Sequence, residues 1–373
     1  CAGSGYCVAI GDRALSNQDA NVKNTAIGGL AGDAIEGGTN NTYVGYLAGS
    51  ASVDTNDNTA LGHMAYAKGT GAYNTVIGTG AGSSVLNTGT ALSSNDNVIV
   101  GFNAGHTLTT GSAAAGQNVL VGKNAGKLMT SSVSNVAIGA YAADAVAGDA
   151  GNNVAIGHHA LGGSTVAASY NIAIGSGTLS HASYAAAAIN IAIGTDAGDA
   201  ITSGTKNVLI GHTAGSTLAT ANASTAVGYN ALRLATGASN TAIGMQALDG
   251  ISTGLENTAV GASCLALADG GESNNTAVGY AAMYSLNDDA ADGNVAVGYN
   301  AGRYFVGPSS SGNLTKAIDS IYIGNNARGV HPTEADNEIV IGFNAIGAGA
   351  NSIVLGDTQI GSIEAQVDFA AFS

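Results

Sequence analysis

Five residues, Asn153-Val154-Ala155-Ile156-Gly157, recur with small changes along almost the whole chain. Similar segments read NTAIG at 24–28, NTYVG at 41–45, NIAIG at 190–194 and NTAVG at 275–279. Aligned on the final glycine, the sequence contains twenty copies, and fifteen of the nineteen spacings between them are 16 to 19 residues. A short repeat with a nearly constant period predicts a solenoid in which each repeat forms one coil.

The residue before the glycine is Ile, Val or Leu in every copy, and the residue two positions earlier is Val, Ile or Thr. β-Branched residues at a period of two predict a short strand. We expect these two positions, Val154 and Ile156 in this copy, to point into the coil. The residue between them is Ala in twelve copies and is never charged, so the strand is apolar on both faces. Strands of this kind are buried on both faces, and the second face is predicted to pack against other chains.

The other fixed positions of the repeat predict tight corners. Gly157 ends the strand, where glycine permits a positive φ and a close backbone approach. Asn153 has an asparagine counterpart in fifteen of the twenty copies, which predicts side-chain amides hydrogen-bonded from coil to coil. The third residue after the glycine is Ala in seventeen copies and Cys264 in one, which indicates a second crowded point. The remaining residues vary and are predicted to form outward loops.

These motifs resemble the head repeats of trimeric autotransporter adhesins, whose motif is close to NSVAIG followed by a small residue. Longer copies such as NTAIGMQAL at 240–248 are similar to repeats in phage tail fibres. The resemblance covers residues 6–356 and implies an all-β, left-handed parallel β-roll of about twenty coils, with three chains around one axis. It also implies an extracellular location, on a virion tail fibre or a cell surface. The partner it implies is a host or cell-surface receptor, with glycans as one receptor class.

Composition supports stacked coils and excludes several classes of partner. Glycine accounts for 57 of 373 residues, proline for 2, and charged residues for 9%. A net charge of −15 argues against nucleic acid, which needs a basic surface, and against attachment to anionic lipid. No run of 18 apolar residues occurs, so no membrane span is predicted. Cys264 is expected to be a packed thiol. Cys1 and Cys7 are expected to pair if the protein is extracellular, and Cys1 fits either a lipidated mature terminus or a sequence boundary.

The chain is predicted to contain an entry segment at 1–5, the repeats at 6–356 and a tail at 357–373. The longest departure from the period, 299–319, carries Arg303, Tyr304 and Phe305, residue types that binding hot spots favour. We expect these three to contact a receptor or glycan; the alternative is that the rings fill a gap between chains. The tail resembles the segment before an endosialidase-type intramolecular chaperone in phage fibres. That resemblance implies autocleavage after Ser373, and an arbitrary end of the sequence is the alternative.

No catalytic motif, phosphate loop or metal-ligand spacing is found, so we expect no enzyme activity, no cofactor and no metal. Loop carboxylates such as Asp57 and Asp292 are expected to be solvated rather than to bind Ca²⁺. Rings that directly follow the glycine, such as Tyr46, His63 and Tyr280, either line a junction between chains or bind glycan. The predicted function is a trimeric fibre for attachment to a cell surface, as a phage tail fibre or adhesin. The alternative is a structural filament or stalk that acts as a spacer.

Overall fold

The computed structural model describes residues 6–19, 22–83, 92–108, 116–146, 148, 150–163, 169–181, 188–306, 311–333 and 335–360. The chain divides into two compact units, Cys1–Ser224 and Thr225–Ser373. The described residues form strands and turns and contain no helix. None of them therefore belongs to a helix that could cross a membrane.

The first unit is a parallel β-solenoid, as the repeat predicts. Twelve strands of three residues stack in chain order, and each pairs in parallel with the next. The register keeps equivalent residues together, so that Ala155 pairs with Ala137 on one side and with Ala173 on the other. The strands are β1 (Val8–Ile10), β2 (Thr25–Ile27), β3 (Thr42–Val44), β4 (Thr59–Leu61), β5 (Thr75–Ile77), β6 (Val98–Val100), β7 (Val119–Val121), β8 (Val136–Ile138), β9 (Val154–Ile156), β10 (Ile172–Ile174), β11 (Ile191–Ile193) and β12 (Val208–Ile210).

The second unit repeats this architecture and adds a hairpin. Its stacked strands are β13 (Thr225–Val227), β14 (Thr241–Ile243), β15 (Thr258–Val260), β16 (Thr276–Val278), β17 (Val295–Val297), β21 (Ile321–Ile323), β23 (Ile339–Ile341) and β24 (Ile353–Leu355). Between β17 and β21, β18 (Tyr304–Val306) and β19 (Ser311–Asn313) form an antiparallel pair. A short parallel pair joins β20 (Ala317–Ile318) to β22 (Ala335–Asp336). The described part of the long excursion is thus a hairpin rather than an irregular loop.

The predicted orientation of the strands is wrong. The middle residue, Ala155 in β9, is fully buried inside the coil, whereas Val154 and Ile156 remain partly exposed. The same pattern holds in every stacked strand except β1 and β24, the first and the last in the chain. A period of two shows that the faces differ, but it does not show which face is inside. The β-branched residues therefore form the outer surface of the strands.

The small middle residue faces inward because side chains from the opposite part of the coil fill the interior. In β9, Ala155 is followed by Leu161, which is fully buried. Several coils with a large middle residue have glycine in the position of that leucine, as in the pairs Leu120 with Gly126, Leu209 with Gly215 and Tyr43 with Gly49. In these three coils the missing side chain at the second position offsets the larger one at the first, as dense packing requires.

The predicted asparagine ladder is confirmed. Asn135 is buried, and both its backbone N and its Nδ2 donate to Oδ1 of Asn118, at 3.0 and 3.1 Å. Its own Oδ1 accepts from the backbone N and Nδ2 of Asn153 in the next coil, both at 3.0 Å. Nδ2 of Asn135 also donates to the carbonyl of Ala150, at 3.1 Å. Each amide thus satisfies backbone groups that the corner of a buried coil would leave unpaired.

The two crowded points of the repeat are also confirmed. Gly157 has a φ of +134°, a conformation that side chains rarely adopt, and a Cβ there would collide with the backbone of Gly175. Three residues after that glycine, Ala160 is fully buried, and Cys264 occupies the equivalent site in its own coil. Burial raises the pKa of the Cys264 thiol to about 12, so this cysteine is a packed thiol, as expected.

Candidate functional site

The outward strand residues form an uncharged and largely apolar surface in each unit, here called the strand-face stripe. It consists of the residue before each corner glycine and the residue two positions earlier. None of the twenty residues before the glycines is buried, although all are Ile, Val or Leu. In the first unit Leu61 keeps 46% of its surface and Ile138 keeps 38%; in the second Ile243 keeps 40%. An exposed surface of this regularity and composition is the candidate interaction surface of each unit.

In nine of the twenty coils a tyrosine, phenylalanine or histidine lies directly beside this stripe, at the position after the corner glycine. Tyr46 stacks on His63 with ring centroids 5.8 Å apart, and Tyr280 stacks on Tyr299 at 5.3 Å. Both stacks lie at the surface, where the tyrosines are about half exposed. In other coils this position holds residues without rings, including Asp12, Lys123 and Asn325, so the row consists of local stacks rather than one long ladder. The stacks extend the apolar surface at its edge.

Arg303 and Tyr304 form a packed cluster at the base of the β18–β19 hairpin. The guanidinium carbon of Arg303 lies 4.7 Å from the ring centroid of Tyr284 and 4.8 Å from that of Tyr304. Nη1 of Arg303 donates to Oδ1 of Asn300 at 2.9 Å, whereas its buried Nε has no hydrogen-bond partner. Phe305 is half-buried, and its backbone forms an isolated parallel β-bridge with that of Gly329. Two rings and an amide therefore contact Arg303, the first of the three predicted contact residues.

Sequence reasoning missed Tyr284 and Asn300, the partners of Arg303. Tyr284 lies 19 positions before Arg303 in the sequence, and both follow their corner glycine by five residues. Residues at the same offset in consecutive coils are stacked neighbours, so a comparison of offsets finds this contact. The signal is therefore present in the repeat, but it is visible only after the coils are aligned.

The remaining predicted positions are structural or lie outside the described residues. Asn153 and Gly157 build the corner, while Val154 and Ile156 belong to the strand-face stripe. Ser373 and Cys1 lie outside the part of the chain that the structure describes. Among the described residues, no three His, Cys, Asp or Glu side chains are placed to hold a metal ion. The loop carboxylate of Asp292 accepts a hydrogen bond from the backbone N of Ser273 at 2.6 Å.

No protein-family model matches the chain, and comparisons with curated proteins and with solved structures find no match. The repeated parallel coils are consistent with a β-roll, so the fold agrees with the resemblance seen in the sequence. A fold of this kind serves as a scaffold for many roles. Any function must therefore be argued from the surfaces described above.

Proposed function

We propose that this chain forms a non-enzymatic homotrimeric fibre that attaches to a cell surface, as part of a phage tail fibre or a surface adhesin. The observation that carries the proposal is the strand-face stripe. Every coil presents two aliphatic or threonine side chains outward, and none of these positions is charged. Leaving so much apolar surface in water is unfavourable by about 25 cal/mol for each Å². In the proposed fibre, other copies of the same chain bury this stripe.

Identical chains match this stripe along its whole length. In a cyclic assembly with the coils in register, residues of one coil meet the equivalent residues of the same coil in each neighbour. Aliphatic side chains then pack against aliphatic side chains at every level, and no carboxylate of this acidic chain is buried there. The resemblance to adhesin head repeats indicates that the assembly contains three chains. An extracellular location, outside the membrane, follows from the same resemblance.

Sedimentation equilibrium tests the assembly. Three chains of 36.1 kDa give a particle of about 108 kDa. Replacing Ile27, Leu61 and Ile138 together by Asp is expected to reduce the mass to that of one chain, because the carboxylates oppose burial. The matched control replaces three exposed polar residues, Asn40, Asn152 and Ser203, by Asp and is expected to remain trimeric. A wild-type protein that sediments as a folded monomer would contradict the assembly.

A receptor contact at the hairpin is the second part of the proposal. The guanidinium group of Arg303 contacts two rings beside the antiparallel hairpin. A rigid arginine and aromatic cluster is what a binding hot spot favours. Arg303→Ala is expected to weaken attachment to cells by about tenfold or more. Arg233→Ala is the matched control, because Arg233 occupies the same position in its own coil but pairs with Asp249 at 2.7 Å.

The alternative function is a structural filament or stalk that acts as a spacer. Both functions require the same trimer, so only the attachment assay separates them. If the chain is a spacer, Arg303→Ala should leave attachment to cells unchanged. Removing whole coils should instead change the distance that the spacer spans. The hairpin favours the attachment role, because it is an elaboration that the regular coil does not need.

A further inference from the structure

The strand-face stripe has a threonine part and an aliphatic part in each unit. The first residue of the strand is threonine in four consecutive coils of each unit, and these two groups are here called the threonine blocks. They consist of Thr25, Thr42, Thr59 and Thr75 in the first unit and of Thr225, Thr241, Thr258 and Thr276 in the second. In all the other stacked strands the first residue is Val or Ile. The hydroxyl groups are therefore gathered in two short stretches of the stripe.

Each block is a continuous column along the stack. In both units the four threonines pair in parallel with one another, coil by coil. The column of the first unit is flanked by Val8 and Val98, each paired with the threonine at its end. The column of the second unit ends at Thr276, which pairs with Val295. Consecutive coils are about 4.8 Å apart, so each column is a strip of hydroxyl and methyl groups about 14 Å long.

The interior of the coil does not explain the choice of threonine. Thr276 and Val295 are the first residues of neighbouring strands, and the middle residue of both strands is a fully buried alanine. Threonine and valine are both β-branched and both favour strands, so either residue suits this position. They differ in one hydroxyl group, which in these strands belongs to the partly exposed outward face. The choice therefore concerns what covers that face.

The hydroxyl groups of the blocks are accessible to another molecule. Thr42 and Thr59 are exposed, and the hydroxyl oxygens of the other six threonines, which are partly exposed, still reach solvent. Within the part of the chain that the structure describes, none of the eight hydroxyl groups takes part in a hydrogen bond. Covering a hydroxyl group without a partner is unfavourable. A surface that buries the blocks must therefore offer hydrogen-bonding groups at the same levels, whereas an aliphatic surface suits the rest of the stripe.

We propose that the threonine blocks of neighbouring copies face each other, hydrogen-bond through their hydroxyl groups and so fix the axial register of the chains. The inference rests on the proposed fibre and names what one copy recognises in the next. A threonine hydroxyl group both donates and accepts, so identical columns satisfy each other. A shift of one coil would place Thr75 against Val98 of the neighbouring copy and leave a buried hydroxyl group unpaired. Single polar positions set the register of coiled coils in the same way.

Co-expression of two forms of the full chain in equal amounts tests the inference. One form is the wild type with a hexahistidine tag, and the other has all eight block threonines replaced by valine. Valine already occupies this position in β9 and β17, so the variant is expected to keep the coil. A second variant changes only the four threonines of the first unit. The control, matched to it in number, replaces exposed threonines outside the stripe by valine, at Thr70, Thr220, Thr253 and Thr358.

Native mass spectrometry then counts the trimers that contain one form and those that contain both. Random assortment gives about one quarter of trimers with a single form, and the control is expected to give this value with the wild type. The eight-valine variant is expected to give about one half or more, because mixed trimers bury hydroxyl groups against valine, and the four-valine variant an intermediate value. Trimers that assort at random with both variants would overturn the inference and leave the proposed fibre. A wild type that yields only monomers would refute the proposed fibre, and the inference with it.

Discussion

Gly49 lies directly against the ring of Tyr43 inside the coil. A Cβ on Gly49 would be 2.6 Å from Cε2 of the tyrosine, closer than two carbon atoms approach without bonding. Tyr43 is fully buried, and its hydroxyl lies 3.3 Å from Oγ1 of Thr55. The ring therefore occupies the space that Leu161 fills beside Ala155 in another coil.

This exchange of volume predicts a compensating pair of substitutions. Tyr43→Ala is expected to destabilise the fold by about 3–5 kcal/mol through the cavity it leaves. Gly49→Leu alone is expected to cost about 1–3 kcal/mol or more through overpacking. The double variant recreates the pair Ala155 and Leu161, and Leu161 adopts a φ of 53°, close to the 58° of Gly49. It should recover at least about 1 kcal/mol relative to the sum of the single changes. If thermal melting shows that the double variant loses as much stability as the two single variants together, the side chains at positions 43 and 49 do not occupy the same space.

The corrected orientation of β9 predicts opposite results for two neighbouring residues. Ala155→Asp places a carboxylate in a fully buried site and is expected to cost several kcal/mol. Ile156→Asp places it on the partly exposed strand-face stripe, so it is expected to be much less damaging to the coil and to act on assembly. Circular dichroism melts report the first effect and sedimentation reports the second. Equal loss of folded structure in both variants would contradict the orientation.

The asparagine ladder predicts that a buried amide matters far more than an exposed one. Asn135→Ala removes the Oδ1 acceptor of the backbone N of Asn153 and one of the two hydrogen bonds that the carbonyl of Ala150 accepts, the other coming from the backbone N of Val133. We expect a loss of about 1–3 kcal/mol for each buried group left unpaired. Asn287→Ala is the control, because Asn287 is exposed and, like Asn135, has no positive φ. Chemical denaturation measures both, and similar midpoints would show that the ladder contributes little.

The buried carboxyl of Glu272 is expected to make the stability of the second unit depend on pH. The residue is buried, Oε2 accepts from the backbone N of Gly270 at 3.0 Å, and Oε1 has no partner. Burial raises the pKa of this carboxyl above its usual range. The folded state therefore binds more protons than the unfolded chain between the ordinary value of about 4.3 and the raised value. The free energy of unfolding therefore falls as the pH rises through this window. Below the ordinary value the carboxyl is protonated in both states, so the raised pKa has no effect on stability there.

Glu272→Gln removes the buried charge and tests this sign. The variant is expected to melt higher than the wild type at about pH 7.5, and the difference is expected to shrink at about pH 3.5, below the ordinary glutamate pKa. Glu256→Gln is the control, because Glu256 is exposed. A stabilisation by Glu272→Gln that is equal at both pH values would show that charge burial is not its cause.

The period, the parallel coils, the glycine corners and the asparagine ladder were all predictable from the sequence. Each depends on residue types that only one local geometry accommodates: glycine at a φ near +134° in Gly157, and a buried amide that bonds both to the previous coil and to the next in Asn135. Stacking repeats the same local requirement twenty times, so the pattern emerges even without homologues.

The orientation of the strands was decided by tertiary packing. Ala155 and Ile156 are both apolar, and which one is inside depends on how much interior space Leu161 leaves from the opposite part of the coil. The contacts of Arg303 with Tyr284 and of His159 with Tyr141 likewise depend on which residues stack at equal offsets in neighbouring coils. Loop lengths vary between coils, so these contacts join residues at unequal sequence separations. A strand pattern alone carries no information about volumes and stacking partners contributed by other parts of the coil.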